Sequence, residues 1–133
     1  MKPLVFDASA LIELIEDDRR ADHVRHLIRK AQVSQDSMHM SAVNWGELYY
    51  VVWRHHGQAT AEEALVRLAQ IPILLTDADS AQAKQAAIFH AKFALPYADC
   101  FAAALAVTLK ARLVTADSDF ERIRRFVNLL RLV

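Results

Sequence analysis

Short apolar runs alternate along the chain with longer segments whose apolar residues recur at helical spacing. "PLVF" (3–6), "PILLT" (72–76), "RLVT" (112–115) and "NLLRLV" (128–133) read as strands, and "SMHM" (37–40) as a weaker fifth. Helices are expected from about Ala8 to Glu16 and from Arg19 to Lys30, where Val24, Leu27, Ile28 and Ala31 share a face. An aromatic-rich helix follows from Ser41 to about Arg54, and another from Thr60 to Gln70. Asp77 and Asp79 are candidate caps for a long helix ending near Phe93, and Pro96 opens an apolar one. "DSDFERI" (117–123) predicts a short helix before the last strand. Strands separated by helices imply an α/β fold of three layers, with a twisted, mostly parallel sheet of four to five strands between helices. One domain spans 1–133. In such sheets ligands bind beyond the carboxyl ends of the strands.

Composition narrows the chemistry. A chain of 133 residues, 54% apolar and 24% charged, is long enough for one sizeable core. Its only glycines are Gly46 and Gly57. No Gly-rich phosphate loop or dinucleotide fingerprint can be built from them. The single cysteine, Cys100, excludes a disulfide framework and a Cys-rich zinc site. The longest apolar run falls short of the roughly 18 to 20 residues a bilayer demands, and "MKPLVFD" does not resemble a signal peptide. A cytoplasmic location and no membrane partner are the expectation. Net charge is zero, which argues against bulk capture of nucleic acid. Sequestering four acids with divalent metal would leave the rest of the molecule cationic.

Four acids stand out by position. Asp7 directly follows "LVF", and Asp117 comes two residues after "RLVT" (with Asp119 close behind), so both fall on the rim where sites form. Glu47 and Asp99 lie on apolar helices with no cation three or four residues away. Burying an unpaired carboxylate costs several kcal/mol, so each needs a partner from elsewhere in the chain or from solution. Clustered hard oxygens select Mg²⁺ or Mn²⁺, and one or two such ions can activate water at a phosphodiester. Structural roles compete: Asp7 and Asp117 can cap helices ("SDFE" is a capping box), and Asp99 can favour a helix dipole. Glu47 suits no pairing or capping role, and its competing place is an exposed flank of its helix.

Other features have plainer readings. His23 and His26 share a helix face without a third ligand, His39 sits in a strand-like pattern, and His55 and His56 fall at a helix end as solvated residues. Arg122, Arg124 and Arg125 form either a solvated face or contacts to the phosphates of a substrate. Trp45, Tyr49 and Trp53 recur on one helix face, fitting core or dimer packing better than base stacking. A rival function is a non-catalytic or receiver-like acidic pocket, with Asp77 after "PILLT" as phospho-acceptor.

"FDASALI", "SAVNWGELYY", "YADCFAAALA" and "LVTADSDF", in this order and spacing, resemble PIN-domain ribonucleases, and among them the small VapC toxins. The resemblance runs essentially the whole length. It implies a PIN-like fold and Mg²⁺- or Mn²⁺-dependent endonucleolytic cleavage of RNA. The metal-holding, catalytic positions carry over to Asp7, Glu47, Asp99 and Asp117. Ser9, Thr115 and Asp119 take supporting places around them. A homodimer inhibited by a small VapB-like antitoxin is implied as well. Trp45 and Gly46 depart from the family's usual smaller aliphatic pair before the glutamate.

Overall fold

The computed structural model describes residues 2–133 and contains five strands and six α-helices. In chain order these are β1 (Leu4–Phe6), α1 (Ala8–Ile15), α2 (Ala21–Ser34), β2 (Met38–Ser41), α3 (Ala42–His56) and α4 (Gln58–Ala69). There follow β3 (Ile73–Thr76), α5 (Ser80–Phe93), α6 (Tyr97–Leu109), β4 (Arg112–Thr115), a 3-10 helix (Ser118–Ile123) and β5 (Asn128–Arg131). The strands form one sheet in the order β3-β2-β1-β4-β5, and every pair is parallel.

Side-chain alternation divides the core. Leu4 and Phe6 of β1 point, with Met38, Met40 and Val114, into a cluster completed by α1 to α4. Val5 and Leu113 point the other way, toward α5 and α6. Burial of each large apolar side chain contributes about 1.5–3 kcal/mol of transfer free energy. Helix α6 is buried from Cys100 through Ala106, and its run of alanines lets the backbone lie close against the sheet.

The chain winds from β1 through β2 to β3 with α1 to α4 on one face. It then crosses the other face by α5 and α6 and returns beside β1 as β4. Right-handed crossovers require this change of face when the winding direction reverses. The reversal makes the β1–β4 boundary a topological switch point, the place where such sheets bind ligands.

Helix ends differ from the sequence reading by a few residues, α2 running on to Ser34 past the expected Lys30, and three further details differ. Asp79, not Asp77, caps α5: its carboxylate accepts the Gln82 N–H at 2.9 Å. "SDFERI" winds as a 3-10 helix, tightened by the Asp117 cap at its start. The last strand stops at Arg131, although Leu132 still donates its N–H to the Thr115 carbonyl.

Candidate active site

Asp7 leaves β1 at the switch point and caps α1, its Oδ1 accepting the Ala10 N–H at 2.9 Å. Capping does not exhaust the carboxylate. Thr115, at the end of β4, donates to Oδ2 at 2.5 Å, and the Ser9 hydroxyl lies 2.8 and 3.0 Å from the two oxygens. Ser9 also accepts the Ala116 N–H at 2.9 Å, which locks β4 to the start of α1. Asp7 is only 2% exposed, and burial pushes its pKa up to about 6. Hydrogen bonds from Thr115, Ala10 and Ser9 pull the other way, while the Glu47 charge adds to the rise.

Glu47 lies on the second turn of α3, whose start is capped by Ser41 at the end of β2. Burial raises its pKa, as does the charge of Asp117, against a lowering hydrogen bond from Asn44. Asp99 is the third residue of α6. Its carboxyl is pushed up to about 7, first by burial and then by the charges of Asp7, Glu47, Asp117 and Asp119. Screened charges are felt only within about a Debye length, so four distant stretches of sequence bring their acids into one locality. Asp117 accepts the Asp119 N–H at 2.8 Å and donates its own N–H to Thr115 at 2.9 Å. The capping roles expected for Asp7 and Asp117 are therefore present alongside their clustering.

Among the described residues, no Lys, Arg or His pairs with Asp7, Glu47, Asp99 or Asp117. Nor do any three of the acids bring their oxygens within 4.8 Å of one another.

The sequence matches the family model described as the PIN domain over residues 4–126. The chain belongs to the PIN domain family. Similar folds occur in VapBC2 from Rickettsia felis, solved with a fragment of promoter DNA (15% identity, 98% of each chain covered, TM-score 0.78). VapC20 from Mycobacterium tuberculosis, described as a toxin that cleaves the sarcin-ricin loop, is similar at 16% identity over 96% of this chain and 98% of that one, with a TM-score of 0.75. DNA-bound VapBC from Salmonella typhimurium is similar at 19% identity over 98% of each chain, again with a TM-score of 0.75. No curated protein matches the sequence.

Asn44 is a residue of this PIN domain that sequence reasoning passed over. It is fully buried, and its side-chain amide donates to the Ala98 carbonyl at 3.0 Å and to Glu47 Oε1 at 3.4 Å. Its own Oδ1 has no partner. The available signal was an amide one helical turn before an unpaired glutamate.

The remaining candidates sort clearly. Arg124 is held by Glu121 through two bonds of 2.6 and 2.8 Å, and Arg122 approaches Asp119 at 3.8 Å. Arg125 is exposed and, among the described residues, makes no ion pair. Trp45 and Tyr49 pack on the core, while Trp53 is exposed and meets Tyr49 edge-on at 5.7 Å. His39 bonds Ser37 at 2.9 Å. The expectation for His55 and His56 is corrected in part: both are exposed, yet each is tied to Glu16 rather than to solvent alone.

Proposed function

We propose that this PIN domain is a Mg²⁺- or Mn²⁺-dependent endoribonuclease and the toxin of a VapBC-like pair. The observation that carries the reading is Asp99, a part-buried carboxyl with no Lys, Arg or His partner among the described residues, pushed up to about 7 first by burial and then by the charges of Asp7, Glu47, Asp117 and Asp119. An all-oxygen, carboxylate-rich donor set of this kind fits a hard divalent ion and not a soft one. Asp7, Glu47, Asp99 and Asp117 would hold it, directly or through water. Bound there, the ion would activate water and stabilise the departing oxygen of a phosphodiester.

The chain's own residues supply the rest. Thr115 and Ser9 fix the Asp7 carboxylate in one orientation, Thr115 from across the β1–β4 boundary and Ser9 from the first turn of α1. Asp119 adds charge beside Asp99 and keeps Arg122 near the rim. Arg125, and Arg122 and Arg124 when their acidic partners are displaced, would meet RNA phosphates next to the scissile bond.

An antitoxin fits a second feature. Leu11, Met40, Trp45, Leu65, Leu68 and Leu75 line an apolar pocket of about 200 Å³ beside the edge strand β3, where Leu74 and Leu75 are 59% and 50% exposed. A small VapB-like protein with an apolar segment would cover it, and the toxin is expected to act as a cytoplasmic homodimer. Among the described residues no single helix is long and apolar enough to cross a membrane. The receiver-like alternative loses its main support. Asp77 follows the edge strand β3, two strands from the β1–β4 boundary where the other acids gather.

RNA cleavage by purified protein, with Mn²⁺ or Mg²⁺ against EDTA and with D7N and D99N as controls, tests the enzymatic reading. Activity that survives chelation, or persists in both variants, refutes it. Co-purification with the product of an adjacent short reading frame tests the antitoxin.

A further inference from the structure

We propose that Glu16, His55 and His56 form a second metal site, separate from the acidic rim and suited to a borderline transition ion of the Zn²⁺ type. Glu16 closes α1, and the two histidines are the last residues of α3. Nδ1 of His55 lies 2.6 Å from Glu16 Oε2, and Nε2 of His56 lies 2.9 Å from the same oxygen. The three ligand atoms all lie within 4.8 Å of one another, and no other grouping of three His, Cys, Asp or Glu side chains among the described residues does so.

The rings stand edge to face with centroids 5.9 Å apart, so the nitrogens approach the carboxylate from different directions. A tetrahedral Zn²⁺ with bonds of about 2.0–2.1 Å spaces its ligand atoms roughly 3.3 Å apart. Exchange of the two hydrogen bonds for coordination therefore needs only a small outward shift of exposed imidazoles. The His55 and His56 side chains are 53% and 48% exposed, which leaves a fourth position open to water.

Electrostatics supports a cation at this point. The carboxyl ends of two helices meet here, each carrying partial negative charge on its last carbonyls. Glu16 is only 15% exposed and, among the described residues, has no Lys or Arg partner. A divalent ion would supply the positive charge that the Glu16 carboxylate itself lacks. One guanidinium meets the end of α1, where Arg67 donates to the Ile15 carbonyl at 3.2 Å without pairing with the Glu16 carboxylate, and Arg54 lies over the Tyr50 ring at 5.0 Å.

Donor chemistry separates the two sites. Imidazole nitrogens with one carboxylate favour Zn²⁺, whereas the all-carboxylate rim favours Mg²⁺ or Mn²⁺. An ion at Glu16 would pin together the ends of α1 and α3, the helices whose other turns position Asp7 and Glu47. It would serve as a staple for the scaffold of the rim.

Titration of Zn²⁺ into the intact protein, in millimolar Mg²⁺, by calorimetry and thermal melting tests this. Wild type should bind one equivalent at micromolar strength or better. A hundredfold excess over Kd should raise Tm by on the order of 5–10 °C. H55Q/H56Q should lose at least about tenfold in affinity and most of the shift, with H55Q and H56Q singly intermediate, while D99N keeps both. Substitution by Co²⁺ should give a visible absorption band that the double variant lacks. No binding by wild type, or equal binding by H55Q/H56Q, overturns the proposal. Neither result bears on cleavage at the acidic rim.

Discussion

The side-chain amide of Asn44 donates to the main-chain carbonyl of Ala98, 54 residues away, at 3.0 Å. The bond joins α3 to the first turn of α6, and so joins the helix that carries Glu47 to the residue before Asp99. Two like-charged side chains would otherwise push these segments apart. The same amide reaches Glu47 at 3.4 Å and favours its charged form. Asn44 thus opposes the repulsion that the site itself creates.

Substitution N44L removes the donor while keeping a buried side chain of similar size. The Ala98 carbonyl then loses its amide partner, which costs about 1–3 kcal/mol of stability. The expected functional sign is a rise in the Mg²⁺ concentration needed for half-maximal cleavage, with little change at saturating metal. Denaturant melts and a metal titration read the two effects. Unchanged metal dependence would show that Asn44 is only a packing residue.

Most of the architecture was legible because it rests on short-range patterns. Leu4–Phe6 and Arg112–Thr115 are apolar runs bounded by chemistry that ends strands, and the strand-helix alternation fixes a parallel sheet. The positions of Asp7 and Asp117 followed from the rule that sites form at strand ends. The convergence of Glu47 and Asp99 rested on a missing local partner, which is a weaker signal. Asn44 was not legible, since its partner Ala98 lies far away in sequence and is a backbone atom. Nor was the Glu16 pairing of His55 and His56, which depends on the ends of two helices meeting. The cap of α5 went to Asp79 over Asp77 by a choice of two residues that composition cannot decide.

Thr115 makes the hydrogen bond that most lowers the Asp7 pKa. T115V keeps the shape and deletes the hydroxyl, so the Asp7 carboxyl should rise further above about 6. If the ionised form holds the metal, the acid limb of the pH–activity profile moves up by on the order of one pH unit. T115S should restore it. A profile that stays in place would remove Asp7 from the group that titrates.

Gly46 sits mid-helix beside Glu47, and a methyl group added there meets nothing within 4 Å. G46A should therefore stabilise the protein by about 0.5–1 kcal/mol, through the lower chain entropy of the unfolded state and better helix propensity. Tm should rise by about 2–4 °C. Cleavage of a minimal dinucleotide should be unaffected. Loss of activity on longer RNA alone would mean that the strand passes over this turn, and destabilisation would contradict the open space around it.

Metal-free stability should depend on pH in an unusual direction. Folded Asp7 and Asp99 keep their protons to about pH 6 and 7, whereas in the unfolded chain they release them near the ordinary value of 3.8. Between about pH 4 and pH 7 the folded state binds more protons than the unfolded one, so stability falls as pH rises through that window. The contribution of these two groups is fully present below about pH 4 and lost above about pH 7. Mg²⁺ binds the ionised, folded form and should reverse the trend by mass action. D99N isolates the Asp99 share. In EDTA at pH 8 it should be more stable than wild type by on the order of 1–2 kcal/mol, allowing for solvent screening of a partly exposed group. It should also gain less from added Mg²⁺. Urea melts of both proteins at pH 5 and pH 8, with EDTA or Mg²⁺ at fixed ionic strength, give all the terms. A D99N variant no more stable than wild type at pH 8 in EDTA would mean that Asp99 is not crowded by the other acids, and the metal reading would lose its foundation.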